Sequence, residues 1–114
     1  MKKLNKGMHR FTDIYVVDEP GAGGACHEYC VCSKTGDNTV VRFQNGPVKE
    51  SESNGCFMED LLQICVHRLE SFQVGDFACR ENALALTKIQ EALHWLNHRT
   101  ADRIERDVEG KTEV

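Results

Sequence analysis

The sequence predicts an α+β fold, a small antiparallel β-sheet of about three strands followed by a two-helix antiparallel hairpin, assembled as an oligomer. Three features predict it. The hydrophobic pattern changes near residue 50 from short β-branched and aromatic runs to helical spacing. Clusters of Gly, Pro, Asn and Asp separate the runs of the first half. The longer helix of the second half is apolar on two sides, and its hairpin partner can cover only one. The chain reads as a single domain, residues 1–114, with a β-meander over 1–50 and the helical hairpin over 51–114.

The first strand, residues 11–17, is rich in β-branched and aromatic side chains and stops at Asp18-Glu19-Pro20-Gly21. The loop Gly21-Ala22-Gly23-Gly24 leads into a second strand, 27–33. That loop precedes a strand rather than a helix, so it lacks the helix N-terminus that makes a phosphate-binding loop work, and it is read as a flexible connector. Lys34-Thr35-Gly36-Asp37-Asn38 suits a hairpin turn, and a third strand, 39–43, ends at Gln44-Asn45-Gly46-Pro47. Met58, Leu61, Leu62, Cys65, Leu69 and Phe72 then fall on one face of a helix over 57–72, with Asn54 as its cap. Glu59 and Asp60 suit the positive end of the helix dipole. Gly75 separates this helix from a longer one over 79–108, stopped by Gly110. On the longer helix Leu86, Ile89, Leu93, Leu96, Ile104 and Val108 form one stripe, while Leu84 and Trp95 lie on nearly the opposite side. A second copy of the chain, or the sheet, must cover that other side.

Composition narrows the functions. With 114 residues, 40% hydrophobic and 28% charged, the chain is an ordinary globular domain of marginal size. A net charge of −4 argues against binding duplex DNA or RNA, which draws on many uncompensated Lys and Arg. It leaves room for a small anion held by two or three local arginines. No run approaches a membrane span, and the basic start is not followed by an apolar segment of signal-peptide length. A cytosolic protein is expected, with its six cysteines reduced.

Cys26, Cys30 and Cys32 share a strand face, but His27 points to the other one and no Cys-x-x-Cys pair exists. Small-residue packing is therefore a better account of them than a metal. His67, His94, His98, Cys65 and Cys79 show no spacing that would pair a nucleophile with a base. Cys65, on the buried stripe, is expected to be inert. No catalytic residue, metal or cofactor is expected. Arg99 and Arg103 stand one turn apart between the two apolar sides of the long helix. With Arg106, Asp102, Glu105 and Asp107 nearby, they suit either the ordinary i,i+3 and i,i+4 pairing of a salt-laced helix end, or a fork for phosphate oxygens. Asn82 projects from the first turn onto the apolar stripe, where its amide needs a partner. Phe72 ends the first helix, as core or as a platform for a stacked base.

The run Phe43-Gln44-Asn45-Gly46-Pro47-Val48-Lys49-Glu50 resembles a segment of the phage Thoeris anti-defence sponge family. So do Phe72-Gln73-Val74-Gly75, the run from Ala78 through Leu86, and His94-Trp95-Leu96 to Arg99-Thr100-Ala101-Asp102-Arg103. The helical hairpin is similar to that of anti-CBASS sponges. The resemblance implies a non-enzymatic protein that holds glycocyclic ADP-ribose, made by a TIR-domain enzyme, intact in the cytoplasm of the infected bacterium. It implies dimers or larger rings such as a hexamer. It also implies four ligand contacts: Phe72, Asn82, Arg99 and Arg103. Some members hold cyclic trinucleotides of CBASS defence at separate sites, so a sponge for those alone stays open, as does a structural or protein-binding phage module. The 17 residues from Asn82 to Arg99 span roughly 26 Å of helix at 1.5 Å per residue, longer than a cyclic ADP-ribose. Contacts from both residues to one ligand thus require two protomers with antiparallel long helices, and two sites per dimer by symmetry.

Overall fold

In the computed structural model, which describes residues 1–4, 8 and 11–105, four strands precede three helices. The strands are β1 (Lys2–Leu4), β2 (Thr12–Val16), β3 (Glu28–Ser33) and β4 (Asn38–Arg42). They form one antiparallel meander in sequence order. The sheet thus has one strand more than the three expected. β1 has only three residues, two of them lysines, and shows no alternation to read. A short, lysine-bearing strand is a common way to close a sheet edge against further pairing, and Lys3 Nζ reaches Asp13 Oδ1 at 3.4 Å.

Register assigns the faces, because directly paired residues point the same way. Lys2, Val16, Tyr29 and Val41 form one row, and Leu4, Ile14, Val31 and Thr39 another on the same face. This is the apolar face. The opposite face carries Lys3, Tyr15, Cys30 and Val40 in one row and Asp13, Cys32 and Asn38 in the next. Cys30 and Cys32 therefore lie on the more polar side of the sheet, whereas Cys26 precedes β3 and its thiol lies 3.5 Å from the Asp18 carbonyl oxygen.

The connector before β3 is an ordered 3-10 turn, Ala22–Gly24, in which the Gly24 N–H donates to the Gly21 carbonyl. After β4 the chain makes a four-residue helix, α1 (Val48–Ser51), and returns to pair Phe43 with Cys56 in a parallel bridge. Gly55 allows that return: a Cβ there would meet the Phe43 carbonyl carbon at 2.5 Å. Asn54 is not the helix cap. Its side chain accepts from Asn45 N–H at 2.7 Å and donates to the Asn45 carbonyl at 2.9 Å, closing this loop on itself. Phe57 caps the next helix instead, its N–H held by the Asp60 carboxylate at 2.8 Å.

The residues fall into two compact units, divided after Cys56. The second contains α2 (Met58–Gln73) and α3 (Arg80–Glu105), which pack on each other as a helical hairpin. Gln73 ties the connecting loop: its amide accepts from Cys79 N–H at 3.1 Å and donates to the Cys79 carbonyl at 3.2 Å. The shielded residues of α3 are Asn82, Leu86, Ile89, Leu93, Leu96, Thr100 and Arg103. They alternate four and three apart, the 3.5-residue repeat of helices that wrap around each other. Glu59, Leu62, Val66, Leu69 and Gln73 follow the same repeat on α2. Val66 (9% exposed) and Leu93 (7%) are the buried apolar residues among those described.

This repeat corrects part of the expected stripe. Ile104 is 62% exposed, because Arg103 takes the position that a straight helix would give it. Met58 and Cys65 are exposed for the same reason, so Cys65 is not shielded by the core. The expected extension to Val108 and the stop at Gly110 lie outside the described residues. Leu84 (48%) and Trp95 (61%) stand exposed on the second side of α3.

Candidate ligand-binding site

The four expected ligand contacts all lie in the hairpin unit, in two groups. At the loop end, Phe72 closes α2 and Asn82 opens α3. Phe77 joins them. Its ring meets that of Phe72 edge-on at 6.4 Å, and its carbonyl accepts the Asn82 side-chain amide at 3.3 Å. The half-buried Asn82 thereby has the partner its place on the stripe requires. Arg68, one turn before Phe72, lays its guanidinium over that ring at 5.0 Å from the centroid. A cation over an aromatic face is favourable. Neither Arg68 nor Phe77 stood out in the sequence; an arginine four residues before a terminal aromatic is the signal that could have found the first.

At the other end, Arg99 is exposed and its Nη2 lies 4.0 Å from Glu59 Oε2 of α2. Arg103 is half-buried on the shielded stripe. Two guanidinium groups one turn apart, one solvent-facing and one held by packing, can present parallel N–H donors to phosphate oxygens. Glu59 at that distance is a weak competitor for the Arg99 guanidinium. One chain therefore brings Phe72 and Asn82 together at one end, and Arg99 and Arg103 at the other, but does not bring the two groups together.

The sheet unit holds a separate recess of about 220 Å³, lined by Asp18, His27, Glu28, Arg42, Phe43, Asn45 and Asn54. Asp18 organises it. Its carboxylate accepts from His27 N–H at 2.9 Å and from Glu28 N–H at 3.1 Å. The His27 hydrogen bond, then that of Glu28, holds its pKa below the usual carboxylate range. His27 Nε2 lies 2.9 Å from the Ala22 carbonyl, and Arg42 pairs with Glu28 at 3.5 Å. Its walls come from four separated segments, so no local pattern announced it. Among the described residues no three His, Cys, Asp or Glu side chains converge on a metal-sized site. No described helix is long and apolar enough to cross a membrane.

Residues 36–101 match the Acb2/Tad1 hairpin domain, a span that includes β4, the return loop and most of the helical hairpin. The chain belongs to the Acb2/Tad1 hairpin-domain family. It is also similar to Thoeris anti-defense 1 of Bacillus phage SBSphiJ7, with 48% identity over 93 residues, or 82% of this chain. The match spans 66% of that relative's length.

Proposed function

We propose that this chain is a phage anti-defence sponge that captures glycocyclic ADP-ribose made by TIR-domain proteins and holds it without degrading it. The observation that carries this reading is the division of Phe72 and Asn82 from Arg99 and Arg103 along a family-typical hairpin. Two copies with antiparallel long helices bring the stacking end of one beside the cationic end of the other. Each interface then offers an aromatic face for a base, an amide for directional hydrogen bonds and two arginines for the pyrophosphate. Two such sites arise per dimer, and a trimer of dimers repeats them. The exposed Leu84 and Trp95 supply apolar surface for assembly. The Thoeris anti-defence role named for the phage relative supports the same reading. The action takes place in the cytoplasm of the infected host, where the Thoeris effector would otherwise meet its signal. Cyclic trinucleotides of CBASS defence are a second ligand class for separate sites, as the resemblance to anti-CBASS sponges implies.

Calorimetric titration with glycocyclic ADP-ribose tests the proposal. Binding near one ligand per chain is expected, with at least a hundredfold loss in Arg103→Ala, a change equivalent to about 2.7 kcal/mol. Heating the complex should release the ligand chemically unchanged. Absence of binding would overturn glycocyclic ADP-ribose as the ligand, and release of a product would overturn the sponge.

A further inference from the structure

Cys30 and Cys32 have no part in the proposed ligand site, and the sheet's register puts them side by side on its more polar face. They stand in the third of four strands, on the face that also carries Lys3, Asp13, Asn38, Tyr15 and Val40, while the other face carries Leu4, Ile14, Val16, Tyr29, Val31 and Val41 with Lys2 and Thr39. Both thiols are free and half-buried, and their sulfur atoms lie 3.0 Å apart. A disulfide bond is about 2.04 Å long, so the sulfurs need to close by about 1 Å to bond.

We propose that Cys30 and Cys32 form a reversible dithiol–disulfide couple within β3, oxidised by low-molecular-weight disulfides of the glutathione class. The Cys30 thiolate attacks one sulfur of the small disulfide, forming a mixed disulfide and releasing one small thiolate. The Cys32 sulfur then gives up its proton and attacks the Cys30 sulfur, displacing the second small thiolate. Two protein thiols become one protein disulfide, and one small disulfide becomes two small thiols. This order follows from the surroundings: the hydrogen bond with Cys30, burial, and the negative charge of Asp13 all keep the Cys32 thiol protonated. A protonated thiol is a poor first nucleophile.

Strand geometry makes the couple reversible. Alternate residues of a strand are roughly 6.6–6.8 Å apart between Cα atoms, the upper end of the range a disulfide spans. Closing the bond shortens β3 between its two neighbours, and strained disulfides are the readily reduced ones. The dithiol is thus the resting form where small thiols are abundant, and the disulfide forms when they become oxidised.

Intact reduced protein treated with glutathione disulfide, then alkylated and mapped by mass spectrometry, tests this. The segment holding Cys30 and Cys32 should lose about 2 Da and escape alkylation, and dithiothreitol should restore both thiols. Cys32→Ser should instead retain a glutathione adduct on Cys30, since nothing remains to displace it. The exposed Cys65 and Cys79 report whether the oxidant was effective. Full alkylation of Cys30 and Cys32 under conditions that modify Cys65 and Cys79 would overturn the proposal. So would a stable glutathione adduct on Cys30 in the unsubstituted chain.

Discussion

Asp18 shows how much of the sheet unit hangs on one carboxylate. It anchors the entry to β3 through the backbone N–H groups of His27 and Glu28, and its folded pKa lies below the ordinary value of 3.8. A depressed folded pKa contributes stability that is present above the unfolded value and lost as pH falls through the folded one. Asp13 behaves alike, chiefly through its hydrogen bond from Lys34 at 2.8 Å. Thermal unfolding followed between pH 7 and pH 2 should therefore show Tm falling below about pH 4. In Asp18→Asn the fall should be shallower, from a lower starting Tm at neutral pH. An identical acid slope in the variant would show that Asp18 does not carry this dependence. None of this was legible in the sequence, where Asp18 read only as part of a strand stop; its partners are nine and ten residues away and become neighbours through the turn at Gly21. Phe72, Asn82, Arg99 and Arg103 were named from resemblance. The residues themselves disclosed only their spacing and the bland alternatives to each.

The hairpin is where periodicity was most informative and where its limit is clearest. Sixteen and twenty-six residues of helix were legible because apolar side chains recurring every three or four residues over such lengths fit a helix and hardly fit a strand or loop. The shielded line could not be read in detail, because a straight-helix wheel assumes 3.6 residues per turn and two wrapped helices settle near 3.5. Over three heptads the difference moves the seam from Ile104 to Arg103. Strand β1 and helix α1 were missed for a different reason: three and four residues are too few to show any period. The seam itself is testable. Leu93→Ala should cost about 2–5 kcal/mol in urea unfolding at fixed protein concentration, and Ile104→Ala should cost under about 0.5 kcal/mol. Equal costs would place Ile104 on the seam after all.

Across the whole molecule, a chain of 114 residues with Val66 and Leu93 as its buried apolar residues among those described has little interior. Ile64, Val74, Phe77, Leu84, Trp95 and Ile104 are all exposed large apolar side chains. Self-association of the proposed kind would cover this apolar surface, and Tm would then rise with concentration. A hundredfold increase in protein concentration should raise Tm measurably, and Leu84→Glu with Trp95→Glu should shift sedimentation to a smaller species. A concentration-independent Tm would instead describe a self-sufficient monomer. The shielded line of α3 has one more consequence. Its middle, Leu86 through Leu96, is apolar, and its tips, Asn82 at one end with Thr100 and Arg103 at the other, are polar. On the proposed function, cohesion and chemistry thus occupy different stretches of a single rod, and its two tips are far enough from each other for substitutions at one to act independently of the other. Selection can retune the tips for a new cargo while the middle goes on holding the same architecture together.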